Sequence, residues 1–137
     1  MRYHTTNYVN TFIEVAEDCT VSESQIPSEK KEKTLANLQY EILIKNSYQF
    51  TSDDLIFKCY MIKNDISDNE KDGEREKFFS KGQPCLRCSA LAKRYGFGFY
   101  HNEESKVALI PIESREYEKF MKNDSVKKVK AMRSKKK

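Results

Sequence analysis

The chain has 137 residues, 34% of them charged and 38% hydrophobic, enough for one domain with an economical core under a heavily solvated surface. No apolar run approaches the length of a membrane span, and Met1-Arg2-Tyr3-His4-Thr5-Thr6-Asn7 lacks the apolar stretch of a secretory signal, so a cytoplasmic protein with no membrane partner is expected. The net charge of +4 divides unevenly: seven bases and no acid follow Val126, which leaves 18 of the 25 bases against all 21 acids before it, and the pI of 8.8 therefore gives no general case for nucleic-acid binding.

In chain order, Thr11-Phe12-Ile13-Glu14-Val15-Ala16 alternates and is rich in β-formers, which predicts a strand. Residues 17–33 are polar, contain Pro27 and end in the charge run Glu29-Lys30-Lys31-Glu32-Lys33, the signature of a loop with a solvated face. From Thr34 the period changes: Leu35, Leu38 and Ile42 fall at helical spacing, with Ala36, Tyr40, Leu43 and Ile44 widening the stripe, and a largely buried helix over 34–45 is expected. Residues 46–50 break it. Thr51-Ser52-Asp53-Asp54 then offers a cap and early carboxylates for the positive end of a second helix, which assigns both acids to helix-start chemistry rather than catalysis. That helix carries Leu55, Ile56, Cys59, Tyr60 and Ile62, and Cys59 reads as a small core residue. Ser67-Asp68-Asn69-Glu70 has capping-box spacing and opens a third helix, charged until Phe78 and Phe79 and stopped by Gly82 and Pro84.

Ser89 is suited to cap a short helix over 90–95, with Gly96 as its left-handed stop. Residues 97–101 and 106–112 read as strands of a hairpin around Asn102-Glu103-Glu104-Ser105, and Pro111 puts the second strand at an edge or at its end. Ser114 opens a last helix with Tyr117, Phe120 and Met121 on one face, and Val126, Val129 and Met132 continue that stripe toward a lysine tail. The order β-α-α-α-α-β-β-α predicts an α+β fold. One globular domain over 1–125 would hold a small, mostly antiparallel sheet, the N-terminal strand plus the hairpin, with helices on one face. A basic helix end and tail would follow over 126–137.

The chemical anomaly is the stretch 78–100. It holds three of the four glycines, Cys85 and Cys88, and the cations Lys81, Arg87, Lys93 and Arg94 without one carboxylate. Its first reading is a binding loop for a small anionic ligand or a protein partner: those cations would converge on a capped helix start, with Gln83 and Ser89 as neutral donors. The bland alternative pairs the same bases with Glu74 and Glu76 of the preceding helix. A second reading makes the protein an enzyme or redox-sensitive protein with Cys85 as its reactive thiol, favoured by Lys81 and Arg87, with His4, His101, Asp53 and Asp54 too scattered in sequence to name its base. A third takes Gly96-Phe97-Gly98-Phe99 as the aromatic core of an RNA-binding strand, giving weak nucleic-acid contact with help from the lysine tail; the alternative is that both rings face the core. Cys85-Leu86-Arg87-Cys88 can also be read as a redox or metal pair. A redox pair belongs at a helix N-terminus after a strand, whereas here a helix and a proline loop precede it and Ser89 takes the cap. As metal ligands the two cysteines have no second pair at a standard spacing, so neither a metal nor a cofactor is expected.

Several of these stretches resemble those of a single family of uncharacterised, mostly bacterial small proteins. They are Tyr3 to Tyr8, Thr11 to Cys19, Thr34 to Glu41, Tyr48 to Asp54 and Phe78 to Gly96, so the likeness is close to full length. It implies one compact domain and little chemistry. In that pattern a small apolar residue stands at the position of Cys88, so a mechanism needing both cysteines is not implied by the resemblance.

Overall fold

The computed structural model describes residues 3–134. At its centre lies β1 (Thr11–Glu14), whose first three residues are buried. On one side β1 pairs antiparallel with β2 (Phe97–His101), which in turn pairs antiparallel with β3 (Val107–Pro111). On the other side it pairs in parallel with β4 (Lys127–Lys130), giving the strand order β3-β2-β1-β4. Pro111 does lie on an edge strand, at its last paired position opposite Phe97. The expectation of one α+β domain with a mostly antiparallel sheet holds: two of the three strand pairings are antiparallel, and the parallel β1–β4 pairing makes the sheet mixed.

Residues 127–130 were expected as a helix end and form β4 instead. The stripe Val126, Val129, Met132 has helical spacing, but the open edge of β1 offers a ladder that an isolated basic helix end cannot match. Lys127 N donates to Asn10 O at 3.1 Å and Ala131 N to Glu14 O at 2.9 Å, on either side of the paired residues. Strand alternation then puts Val129 and Ala131 on one face of the sheet and Val126 with the core of the other.

The expectation of helices on a single face also needs correction. Ile13, Phe97, Phe99, Val107 and Leu109 meet α1 (Leu35–Lys45), α2 (Ser52–Lys63) and α4 (Ala90–Lys93) in the main core. Their strand neighbours Phe12, Ala108 and Ile110 are apolar too, so the opposite face cannot be left to water. It is covered by α5 (Arg115–Lys122). There Phe120 stacks on Phe12 at 5.2 Å and on Tyr100 at 4.2 Å, while the Tyr117 hydroxyl accepts from Val15 N at 2.9 Å. Met121, expected on that face, is exposed. Each fully buried Phe contributes about 1.5–3 kcal/mol over its exposed state. A Cβ on Gly98 would come within 2.7 Å of Phe12 Cζ and 2.8 Å of Ile13 O, so the close approach of β1 and β2 requires glycine there.

Thr34, Thr51 and Ser114 open helices as the sequence marks, whereas the box at Ser67 caps a 3-10 turn over Asp68–Glu70 and the third helix begins only at Lys71. Thr34 Oγ1 accepts from Asn37 N, and Asn37 Oδ1 accepts from Thr34 N, closing a reciprocal cap; Asn37 Nδ2 then ties in the long loop through Ser28 O at 3.0 Å. Thr51 and Ser114 cap α2 and α5 through Asp54 N and Tyr117 N. Of α3 (Lys71–Phe79) only Phe79 is buried, so the charged helix is anchored by its last turn. Along α1, Leu35 and Ile44 are exposed and fall outside the expected apolar stripe. The short helix stops at Lys93, two residues early, and Gly96 follows at φ +81° with Val21 and Ser24 packed where a side chain would go.

Candidate functional site

The residues that follow α3 make a tight turn against three elements. Gln83 Nε2 donates to Phe78 O at 2.8 Å, which satisfies a carbonyl at the end of α3. Leu86 is buried, and Cys88 N donates to Cys85 O at 2.9 Å across it. Ser89 Oγ donates to Gln39 Oε1 of α1 at 2.5 Å and accepts from Leu91 N at 3.2 Å, so the cap of α4 is also its tether.

Both ends of the chain reach this turn. From the N-terminal side, His4 N donates to Phe79 O. Thr5 Oγ1, Thr6 N and Thr6 Oγ1 all donate to the buried Asp53 carboxylate at 2.7 Å, and Asp53 N returns a bond to Asn7 Oδ1 at 2.9 Å. That anchorage sets Tyr8 against the turn, its hydroxyl 3.2 Å from Cys85 Sγ. From the C-terminal side, Arg87 Nε donates to Lys130 O at 2.7 Å, and Met132 N donates to Arg87 O at 2.8 Å. Asp53 is thus more than helix-start chemistry, while Asp54 stays at the surface and pairs with Arg75 at 2.9 Å.

Between α1, α2 and the turn lies a cavity of about 270 Å³. Leu35, Ile56, Tyr60, Phe78 and Pro84 supply apolar walls, Lys63 the single cation, and Cys85, Cys88, Gln83, Ser89, Gln39 and Asn64 the remaining groups. Among the described residues Lys63 Nζ has only a 3.5 Å contact to Lys33 O. A larger hollow of about 660 Å³ runs between α2 and α3, but its lining mixes Asp54, Asp65 and Asp68 with Lys58, Lys71 and Arg75, and its Asp54–Arg75 pair is already closed. The smaller cavity is the one with the predominantly apolar lining that small-molecule sites favour.

The six residues expected to bind an anion are divided by the structure. Gln83 and Ser89 line the cavity, whereas Lys81, Arg87, Lys93 and Arg94 do not. Among the described residues none of these four cations forms an ion pair, with Glu74, Glu76 or any other acid. The helix start on which they were to converge is the first residue of a four-residue helix, with its cap turned inward to Gln39. The cation the sequence reading missed is Lys63, spaced from Ile56 and Tyr60 so that all three share one side of α2, a pattern that reads equally well as a helix end in water.

Tyr8 is the other missed residue, 77 positions from Cys85. Burial first, and then the Cys85 hydrogen bond, push its hydroxyl up to about 12, with Arg87 pulling the other way. Its ring meets His101 edge-on at 5.2 Å. His101 is fully buried, and neither ring nitrogen finds a hydrogen-bond partner among the described residues. Burial lowers its pKa to about 4, against a weaker opposite pull from the nearby backbone of Thr11 and Phe99, so the ring is neutral. Cys59 is buried in the main core, as expected, and burial pushes its thiol up to about 12. Phe97 and Phe99 face that core too and are closed to a stacking base. Among the described residues no three His, Cys, Asp or Glu are placed to hold a metal, and no helix is long and apolar enough to cross a membrane.

The model of a family of unknown function, DUF6157, matches residues 3–137 of the chain. No curated protein and no solved structure is similar enough to be matched.

Proposed function

The chain belongs to the DUF6157 family, a family of unknown function, and we propose from the geometry of its own residues that it is a binding module for a small molecule with an apolar body and one acidic group. The observation that carries this reading is the cavity between α1, α2 and the 83–89 turn: apolar walls, a few polar groups, and Lys63 as a cation with no carboxylate partner among the described residues. An acid seated there would bury its body against Leu35, Ile56 and Phe78 and neutralise Lys63. Lys81, Lys93 and Arg94, unpaired among the described residues, would raise the local concentration of anions without contacting the ligand.

A ligand that binds only the native state raises its melting temperature as concentration exceeds Kd. A panel of small aliphatic and aromatic carboxylic acids, each matched to its neutral amide, should therefore shift the melt, with the acids ahead. Lys63→Met should erase the preference for acid over amide, and Arg94→Ala should not. If no member of the panel shifts the melt, the cavity reading is wrong.

A second reading, Cys85 as a reactive thiol, is favoured by a separate observation, the Tyr8 hydroxyl 3.2 Å from its sulfur. In the neutral pair either atom can donate. A thiolate can only accept, so ionised Cys85 would be stabilised by Tyr8. Faster alkylation of Cys85 than of half-buried Cys19 by iodoacetamide at neutral pH tests it.

A further inference from the structure

We propose that Cys85 and Cys88 form a dithiol exchange site that reduces small disulfides and closes on itself as an intramolecular disulfide. The proposal rests on the reading of Cys85 as a reactive thiol and adds to it a resolving partner and a substrate class.

Three observations converge on the pair. The first is backbone geometry. The bond from Cys88 N to Cys85 O closes a four-residue turn, and Leu86–Cys88 is a single turn of 3-10 helix. Such a turn holds its end Cα atoms within about 7 Å, and Cys85 enters it from extended backbone as the residue that caps the 3-10 turn. A disulfide needs Cα atoms about 4.4–6.8 Å apart with their side chains facing each other. The second observation is that both sulfur-bearing residues line the same apolar cavity, so one ligand there meets both. The third is their difference in setting. Cys85 is half-buried and touches the Tyr8 hydroxyl, whereas Cys88 is exposed at the rim.

That difference assigns the roles. Tyr8 keeps its proton well above the range in which a thiol ionises, so it remains a donor to the Cys85 thiolate. Cys85 attacks one sulfur of R–S–S–R, forming Cys85–S–S–R and expelling one R–S⁻, which takes up the proton lost by Cys85. Cys88 then attacks the Cys85 sulfur, forming the Cys85–Cys88 bond, and the second R–S⁻ leaves with the proton lost by Cys88. Two electrons pass from the protein dithiol to the small disulfide, which becomes two thiols. The apolar cavity wall is where the R group rests while Cys88 swings in.

Glutathione disulfide added to the reduced full-length chain is the probe. Wild type should lose the mass of two hydrogens, with the loss mapped to the peptide holding both cysteines. Cys88→Ser should instead accumulate a mixed disulfide on Cys85. Tyr8→Phe should slow formation of the mixed disulfide on Cys85 about tenfold at neutral pH, as loss of a hydrogen bond to a charged group predicts, while the melting temperature and the alkylation of Cys19 stay as in wild type, a pattern that a merely structural role for Tyr8 would not produce. Should Cys85 alkylate rapidly yet wild type stop at the mixed disulfide, the exchange proposal fails and the reactive-thiol reading stands. Should Cys85 neither alkylate faster than Cys19 nor exchange, both fail. A Cys85→Ser variant that forms its mixed disulfide on Cys88 as fast as wild type reacts would overturn the assigned order of attack.

Discussion

The two ends of the chain reach the same turn by different means. The N-terminal residues are held by side chains: three donors from Thr5 and Thr6 on one buried carboxylate, that of Asp53. The C-terminal residues are held by backbone: the ladder of β4 on β1, then Ala131 N on Glu14 O and Met132 N on Arg87 O. Around that ladder the side chains are surface charges, with Lys130 and Arg133 both on Glu17. A charge satisfied inside the protein is costly to disturb, because its partners lose their water as well. The same charge at the surface is exchangeable with solvent. One end should therefore be sensitive to single side chains and the other only to loss of its strand.

The largest effect expected is from loss of that strand. Ending the chain at Ser125 removes β4 together with the buried Val126 and Ala131, and bares the edge of β1 beside the main core. The product should lack a cooperative melt. A chain ending at Met132 keeps the whole ladder and should melt as the full chain does. Equal behaviour of the two truncations would mean that β4 contributes little to the fold.

At the other end a single side chain suffices. Asp53→Ala leaves Thr6 N buried without an acceptor and Thr6 Oγ1 with Ser52 Oγ alone, and should cost about 3 kcal/mol, the upper range for a broken buried network. The neighbouring Asp54→Ala loses only a partly exposed pair with Arg75, worth about 1 kcal/mol or less. Urea midpoints measured side by side decide the matter: similar losses for two adjacent acids would remove the distinction between a buried and a surface carboxylate.

What was legible in the sequence follows the same division between local and distant. The caps at Thr34, Thr51, Ser89 and Ser114 lie within three residues of the N–H groups they satisfy, so spacing alone reveals them. The β2–β3 hairpin is local as well. By contrast Lys127-Lys128-Val129-Lys130 has no strand pattern of its own and takes its conformation from β1, more than a hundred residues earlier. The 78–100 stretch was recognisable as unusual because its charges are all of one sign, but its cavity depends on Leu35, Ile56 and Lys63 from two other helices. Tyr8 carried no chemical signal, only a place in one of the family-like stretches. A lone tyrosine ahead of a strand acquires meaning only when Asp53 fixes the segment that bears it.

His101 tests the buried side of the comparison through pH. Its ring titrates near 4 in the folded chain against an ordinary 6.5, because burial disfavours the charged form. Between those values the unfolded chain takes up a proton that the folded chain refuses, so stability is complete above pH 6.5 and declines as pH falls toward 4. At 1.36 kcal/mol per unit the decline is about 3 kcal/mol. In His101→Leu, which has no proton to take up, that part of the acid loss should vanish. Identical pH profiles for the variant and wild type would mean that the imidazole reaches water.

Glu17 should give the smallest effect. Its carboxylate receives Arg133 Nη2 at 2.6 Å and Lys130 Nζ at 3.1 Å, and Arg133 first, then Lys130, hold the carboxyl below its ordinary value of 4.5. A carboxyl lowered in the folded chain contributes stability above its unfolded pKa and loses it as pH falls through the folded one. All three side chains are nonetheless about half exposed, where counter-ions compete for each of them. Glu17→Gln should therefore differ from wild type only at low ionic strength and only above the carboxylate range, and raising the salt to about 1 M, where screening acts within about 3 Å, should merge the two urea curves. A deficit that persists at high salt would mean that the ion pairs, rather than the β4 ladder, hold the C-terminal end against the turn.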